Sequence, residues 1–377
     1  MSENNEAISI YAVGDVCVSR ENPESIYEFA SRTINEADIA FCQVEAVYSD
    51  RGSPQVHAVG DVHARPKNPK NIAALKYAGF DVVSLASNHC LNFGYDAFFD
   101  TIDKLRANGL TVIGVGKDLA EARQPAIFEC KGTRLAFLAY NSMIPEGFAA
   151  GVDKPGCAPV RVLTVYQPVE YQPGTASRAL TFADREDLEA MQADIRKIRD
   201  SADIVVVSLH AGLHHTPAVV PMYHKEIAHA AVDAGADLVV SHHAHILKGI
   251  EVYKDKVIFY GLCNFGFDTP SLRNASPETK RLRALYDVPR DPEYTTYAFH
   301  VDAKKTIVAK CIVSKKQVQR VSFLPVFVNK LGQLEIQHCD DAHFHEVLGY
   351  IEDISRSQHL DTRFTVEGDE VVINAKS

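Results

Sequence analysis

Residues 237–245 read DLVVSHHAH, an aspartate followed by a short apolar run that ends in His-x-His. The same plan recurs in DIVVVSLH (203–210), DVVSLASNH (81–89) and DIAFCQVE (38–45), and the first apolar segment, ISIYAVGD (8–15), also ends in a carboxylate. Short runs rich in Val and Ile, bounded by polar residues, have the length and composition of buried parallel strands. Helical punctuation fills the intervals. NPKNIAALKYAGF (68–80) opens with Asn-Pro and stops at Gly, YDAFFDTIDKLRANG (95–109) stops at Gly, and NPESIYEFASRTINEAD (22–38) reads as an amphipathic helix. Strands that alternate with helices predict an α/β sheet.

Working outward, PAIFECKGTRLAFLAY (125–140) reads as a hairpin turning at KGT. Residues 142–183, rich in Pro and Gly, break the rhythm and are expected to form an inserted loop or lid. Helices are expected at 184–200 and 219–234. Beyond 246 the pattern becomes antiparallel, with turns expected at KD, AKK and LGQ, then a helix (340–357) and a hairpin around EGDE (367–370). No linker-like run divides the chain. The expected organisation is one domain over 1–336 and a C-terminal addition of helix and hairpin over 337–377.

The 377 residues carry a net charge of −10, with 46% hydrophobic and 23% charged residues, an ordinary globular composition. An acidic balance without clustered Lys and Arg argues against a nucleic-acid binder. The longest apolar runs fall far short of the ~20 residues of a membrane-spanning helix, and the N-terminus lacks a basic or apolar signal, so no membrane association and a cytoplasmic location are expected. Eight scattered cysteines form no C-x-x-C pair and read as reduced thiols. Histidine stands out: eight of the sixteen lie between 210 and 245.

In a parallel sheet the C-terminal strand ends share one edge, where open α/β sheets bind ligands. That edge would gather Asp15, Glu45, Asn88, His89, His210, His243 and His245. Mixed nitrogen and oxygen donors suit Zn²⁺, Mn²⁺ or Fe²⁺ rather than Ca²⁺ or a structural thiolate zinc. The donors exceed the needs of one tetrahedral ion, so two divalent ions are expected. The aspartates that begin the strands lie at the opposite end and read as turn residues. GVGKD (114–118) lacks the third glycine of a dinucleotide fingerprint. GDVHARP (60–66) looks like a phosphatase GD-x-H motif in a substrate-side loop, and His343 and His345 read as a surface face.

The segments GDVCVSR (14–20), QVEAV (43–47), NIAALKYAGFDVVSLASNHCLNFG (71–94), VVVSLHAG (205–212), AGADLVVSHHAHILKGIEVY (234–253) and YGLCNFGFD (260–268) together resemble the CapA family, named for poly-γ-glutamate capsule synthesis proteins. The resemblance implies a calcineurin-like metallophosphatase-like fold, a two-sheet sandwich of mixed sheets flanked by helices, with a binuclear metal centre at the sheet edge. It implies metal roles for Asp15, Glu45, Asn88, His210, His243 and His245, and an acid/base role for His89. Departures are visible: Cys17 stands where the phosphatase pattern has His, Glu45 where it has a bridging Asp, Ala211 where an aromatic is usual, and Asn92 where an Asp is usual. The Ser241–His245 ending also lacks the family's Gly and Pro.

On this basis the chain is expected to be a metal-dependent hydrolase in which metal-activated water attacks an amide, lactam or ester of a small acidic or peptide-like substrate. His89, with an imidazole titrating near working pH, would protonate the leaving group. His214 and His242 join it as further catalytic or substrate contacts, and Arg20 would bind a substrate carboxylate or phosphate. The alternatives are a metal-dependent epimerase, isomerase or lyase moving a proton next to a carbonyl, a phosphoesterase, and a metal-binding scaffold without turnover. The expected partner is a small-molecule or peptide substrate, with a homo-oligomer left open.

Overall fold

The computed structural model describes residues 7–56, 67–269, 275–286 and 288–375, so GDVHARP (60–66) lies outside the described residues. Four of the expected strands, Ile8–Cys17, Ile39–Val44, Val82–Ser84 and Thr111–Ile113, run parallel in that order. Antiparallel strands Lys305–Ser314 and Gln317–Val328 extend this sheet from the other side of Ile8–Cys17. In the second sheet, Thr133–Asn141, Ile204–Ala211, Leu238–His243 and Lys256–Phe259 are parallel. Antiparallel strands Ala126–Cys130 and Ile250–Tyr253 form its edges.

The two sheets pack face to face. Phe41 of the first stacks on Phe137 of the second, with ring centroids 6.3 Å apart, and Val13, Val16, Val206, Leu238 and Val240 join the same core. Helices Arg185–Arg199 and Met222–Ala234 cover the far face of the second sheet, setting Met191, Ile195, Ile227 and Ala231 against Val205, Val207 and Val239. Helices Ile72–Ala78 and Gly94–Ala107 bury Leu75, Phe98, Ile102 and Leu105 with the first. The architecture is thus the two-sheet sandwich flanked by helices. Among the described residues no helix is long and apolar enough to cross a membrane.

The aspartates that open the strands act at the far end of the sheets, as their position implies. Asp38 accepts from Ser9 N at 2.9 Å while its own N–H donates to Ser9 O at 3.0 Å. Asp81 makes the same pair of bonds with Ala40, Asp203 with Arg134, and Asp237 with Val205, all at 2.8–2.9 Å. Each clamp pins one residue of a strand to one residue of its neighbour. A slip of register would break both bonds at once.

Elsewhere the structure departs from expectation. Residues 22–38 form two short turns, a 3-10 turn Pro23–Tyr27 and an α-helical turn Ser31–Ile34, not one helix. The cause is Tyr27, wholly buried between Phe80 and Phe265 with its hydroxyl donating to Phe265 O at 2.9 Å. Residues 142–183 hold a two-stranded ribbon, Val162–Pro168 with Ser177–Ala183, which packs on the Met222–Ala234 helix. The turn expected at AKK is instead a 3-10 turn that leads into strand Lys305–Ser314, and the chain reverses at Lys315–Lys316, two lysines with φ of 51° and 61°. Residues 337–377 contribute the helix Ala342–Ser357 and the hairpin Arg363–Asn374, whose second strand pairs with Gln317–Val328.

The clamps make a prediction. Asp81→Ala leaves the Ala40 N–H buried without its acceptor, so stability should fall by roughly 1–3 kcal/mol. A urea unfolding series should show the lower midpoint, and metal content should stay unchanged, because the clamp lies at the edge away from the histidines.

Candidate metal centre

The first sheet contributes Asp15, inside its strand, and Glu45, one residue beyond Val44. The second contributes His210, inside Ile204–Ala211, with His243 as the last strand residue and His245 in the turn after it. The ligand-type residues therefore occupy the facing edges of two sheets, where a reading of strand ends alone places them on one. Gly14 makes the approach possible. A Cβ there would lie 2.1 Å from Cys263 O, the carbonyl that receives the Asp15 N–H at 2.9 Å. Across the seam, His243 N–H donates to Asp15 Oδ2 at 2.9 Å. His243 and His245 hold left-handed backbones, φ 82° and 52°, a strain that the packed surroundings sustain and that folds both rings toward the carboxylates.

Two sets of side chains result, each with donor atoms within 4.8 Å of one another: Glu45, His210 and His243 in one, Asp15, Glu45 and His245 in the other. Glu45 is common to both. Its Oε2 lies 3.2 Å from His245 Nε2, and its Oε1 lies 3.6 Å from His210 Nε2. Asp15 and Glu45 are 0% exposed. Asp15 Oδ1, both Glu45 oxygens, His210 Nδ1 and His243 Nδ1 are buried without a hydrogen-bond partner. Burial, and for Glu45 the neighbouring Asp15, pushes both carboxyls well above the ordinary carboxylate range. Burial likewise pushes His210, His243 and His245 well below the usual imidazole value, so each keeps a lone pair for coordination. Carboxylates and neutral imidazoles with unfilled valences are the donor set of a divalent transition metal.

The surrounding hydrogen bonds aim these donors. His210 Nε2 meets Asn88 Oδ1 at 2.8 Å, which places Asn88, expected as a ligand, directly against the donor cluster. His245 Nδ1 meets Asn264 Oδ1 at 2.7 Å, and Asn264 Nδ2 donates to Tyr297 OH at 3.0 Å, which leaves His245 Nε2 facing Glu45. His89 lies beside the cluster, its Nε2 3.7 Å from Glu45 Oε1 and 3.0 Å from Asn88 Nδ2, and Asn92 holds its Nδ1 at 2.9 Å. His214 stacks on His243 at 5.2 Å and lies 4.9 Å from His245, so it reaches the site as expected.

Three expectations need correction. Arg20 does not offer its fork to a substrate: Nε and Nη2 grip the Asp268 carboxylate at 2.7–3.1 Å. His242 is 0% exposed, with its ring 5.7 Å from that of Phe41 between the sheets, so it is a core residue beneath the centre. His89 does not titrate near neutrality, since burial first, then the neighbouring His214, lowers it to about 3. Cys17, at the position where a ligand histidine was the alternative, is a buried thiol pushed up to about 12. Sequence reading passed over Asn264, Tyr297 and His215. The one available signal was a polar Asn within the apolar run GLCNFGF (261–267).

Two outcomes follow from this geometry. Asn264→Ala should weaken divalent-metal binding roughly 10–100-fold by freeing the His245 ring, as read by calorimetric titration. Burial holds both carboxyls above their usual range in the metal-free centre, so metal uptake should expel protons from Asp15 and Glu45. Affinity should therefore climb as pH rises and fall as it drops. The check is the dependence of the binding heat on buffer ionisation enthalpy.

Residues 9–269 match the family described as "Bacterial capsule synthesis protein PGA_cap". The chain is 27% identical over 274 residues to the PGA biosynthesis protein CapA of Bacillus subtilis, covering 70% of this chain and 64% of that protein. It is 31% identical over 229 residues to a probable polyglutamine synthesis accessory protein of Mycobacterium tuberculosis, covering 60% and 55%. The matches thus span less than two thirds of these relatives' length. Among solved structures it is similar to a calcineurin-like phosphoesterase, YfkN from Bacillus subtilis, with a TM-score of 0.34 at 12% identity over 94% of this chain and 97% of that one. With more than half of its length matched, the chain belongs to the bacterial capsule synthesis protein (PGA_cap) family.

Proposed function

We propose that this chain is a metal-dependent hydrolase whose centre would hold two divalent ions, with Glu45 belonging to both donor sets. The observation that carries the reading is that two buried donor sets share Glu45, whose oxygens have no other partner. Glu45, His210 and His243 would hold one ion, and Asp15, Glu45 and His245 the other. Bound there, Mn²⁺, Zn²⁺ or Fe²⁺ would supply Lewis acidity, lowering the pKa of a water and polarising the bond to be broken. The chain's own residues do the rest. Asn264 keeps the His245 imidazole in register, and the aromatic Phe267 and Phe299, each within about 5 Å of His245, keep water from that flank. His89, neutral at rest and steadied by Asn92, would accept the proton lost by the attacking water and pass it to the departing group. The substrate class is an amide, lactam or ester of a small acidic or peptide-like molecule, in keeping with relatives named for PGA and polyglutamine synthesis. Eight free cysteines support a reducing, cytoplasmic setting.

Metal analysis of protein purified without chelator should give two ions per chain. His245→Ala should lose one of them and Glu45→Ala should lose both; a variant of Glu45 that keeps full metal content would sink its shared role. His89→Ala should retain the metal and lose 10²–10⁴-fold in turnover across a panel of cyclic amides, lactones, peptides and phosphoesters. Reaction in ¹⁸O water should label the product. Deuterium entering at carbon without ¹⁸O would replace hydrolysis by the epimerase or lyase chemistry.

A further inference from the structure

The cations around the centre differ in what holds them. Arg20 is spent on Asp268. Lys248, 2% or less exposed, donates Nζ to Thr216 O and so ties down the turn that carries His214 and His215. Lys67 is buried and has partners of its own. Arg290 is arranged differently. Its Nε–H donates to Ala298 O at 3.1 Å, which fixes the root of the guanidinium, while Val301 N–H donates to Pro289 O at 2.9 Å and closes the segment on itself. Among the described residues neither Nη of Arg290 has a hydrogen bond or an ion pair. The adjacent Asp291 is taken by Lys304 at 3.0 Å.

Arg290 is tied to the segment that borders the donor cluster. Ala298 precedes Phe299, whose ring lies 5.1 Å from that of His245 and 5.8 Å from that of His215. The His215 ring in turn lies 5.8 Å from that of His245, so the segment tethered to Arg290 borders both histidines. A half-buried guanidinium with an open fork favours an oxyanion more strongly than a solvated one would.

We propose that Arg290 is the substrate anchor of this site, its two open Nη groups receiving a carboxylate of the substrate while the bond to be cleaved lies at the Asp15–Glu45–histidine cluster. The assignment rests on the hydrolytic reading of that cluster. The planar fork matches a carboxylate bidentately, which an ammonium cannot do. It would give a site whose expected anchor, Arg20, is internally paired a means of selecting an acidic molecule.

The test is calorimetric binding of glutarate, butyrate and inorganic phosphate to the metal-loaded full chain. One glutarate carboxylate can address the metals and the other Arg290, so glutarate should bind at least about tenfold more tightly than butyrate, a factor equal to ~1.4 kcal/mol. Arg290→Gln should abolish that advantage, and Arg290→Lys should restore part of it. An advantage that survives in Arg290→Gln, or is missing in the unmodified chain, would overturn the anchor. Phosphate binding that depends on Arg290 while glutarate binding does not would overturn the carboxylate assignment. Metal content of the same samples separates the readings. Failure to take up metal removes the hydrolytic centre and the anchor with it, whereas lost dependence on Arg290 with both ions in place removes the anchor alone.

Discussion

A carboxylate whose two oxygens are buried and lack hydrogen-bond donors is costly to a fold, by several kcal/mol if it is ionised. Glu45 is such a group, and Asp15 beside it is half relieved by a single backbone N–H from His243. The three histidines that surround them are uncharged and cannot neutralise them. Protonation relieves the pair in the metal-free state, and bound cations would take the place of those protons. The left-handed turns at His243 and His245, and the close passage of Cys263 past Gly14, are the structural consequences of bringing those groups together.

The aspartate clamps at the other end of the sheets make that convergence reproducible. Asp38, Asp81, Asp203 and Asp237 each join two adjacent strands through two hydrogen bonds. With the strands locked at one edge, their opposite ends are locked as well, so Asp15, Glu45 and His210 are placed by strand length. The site is therefore rigid where its donors lie on strands. His89, His214 and His215 stand instead on turns beside those donors.

How much of this was legible in sequence follows from the same geometry. The repeated Asp–strand–donor plan revealed the parallel strands and the five residues that gather in the buried donor cluster, because both features are periodic and local. Arg20 and His242 were misjudged because nothing local announces their partners. Asp268, which consumes Arg20, is 248 residues away, and Phe41, which covers His242, belongs to the opposite sheet. Asn264 went unassigned because its role depends on reaching His245 across a turn. The broken helix at 22–38 has the same origin, since Tyr27 is tethered to Phe265 far along the chain.

Sequence by itself determined which residue types stand at the strand ends and that the strands are parallel, since side-chain alternation, turn residues and helix stops act over a few residues. Tertiary structure alone decided that the ends belong to two sheets facing one another, that Glu45 is shared between two donor sets, and that, among the described residues, Arg290 rather than Arg20 keeps an open fork. Those outcomes depend on which polar atoms remain unpaired after the sheets have packed. Pairing is a property of the whole folded chain, because each donor or acceptor is satisfied by whatever the fold brings to it.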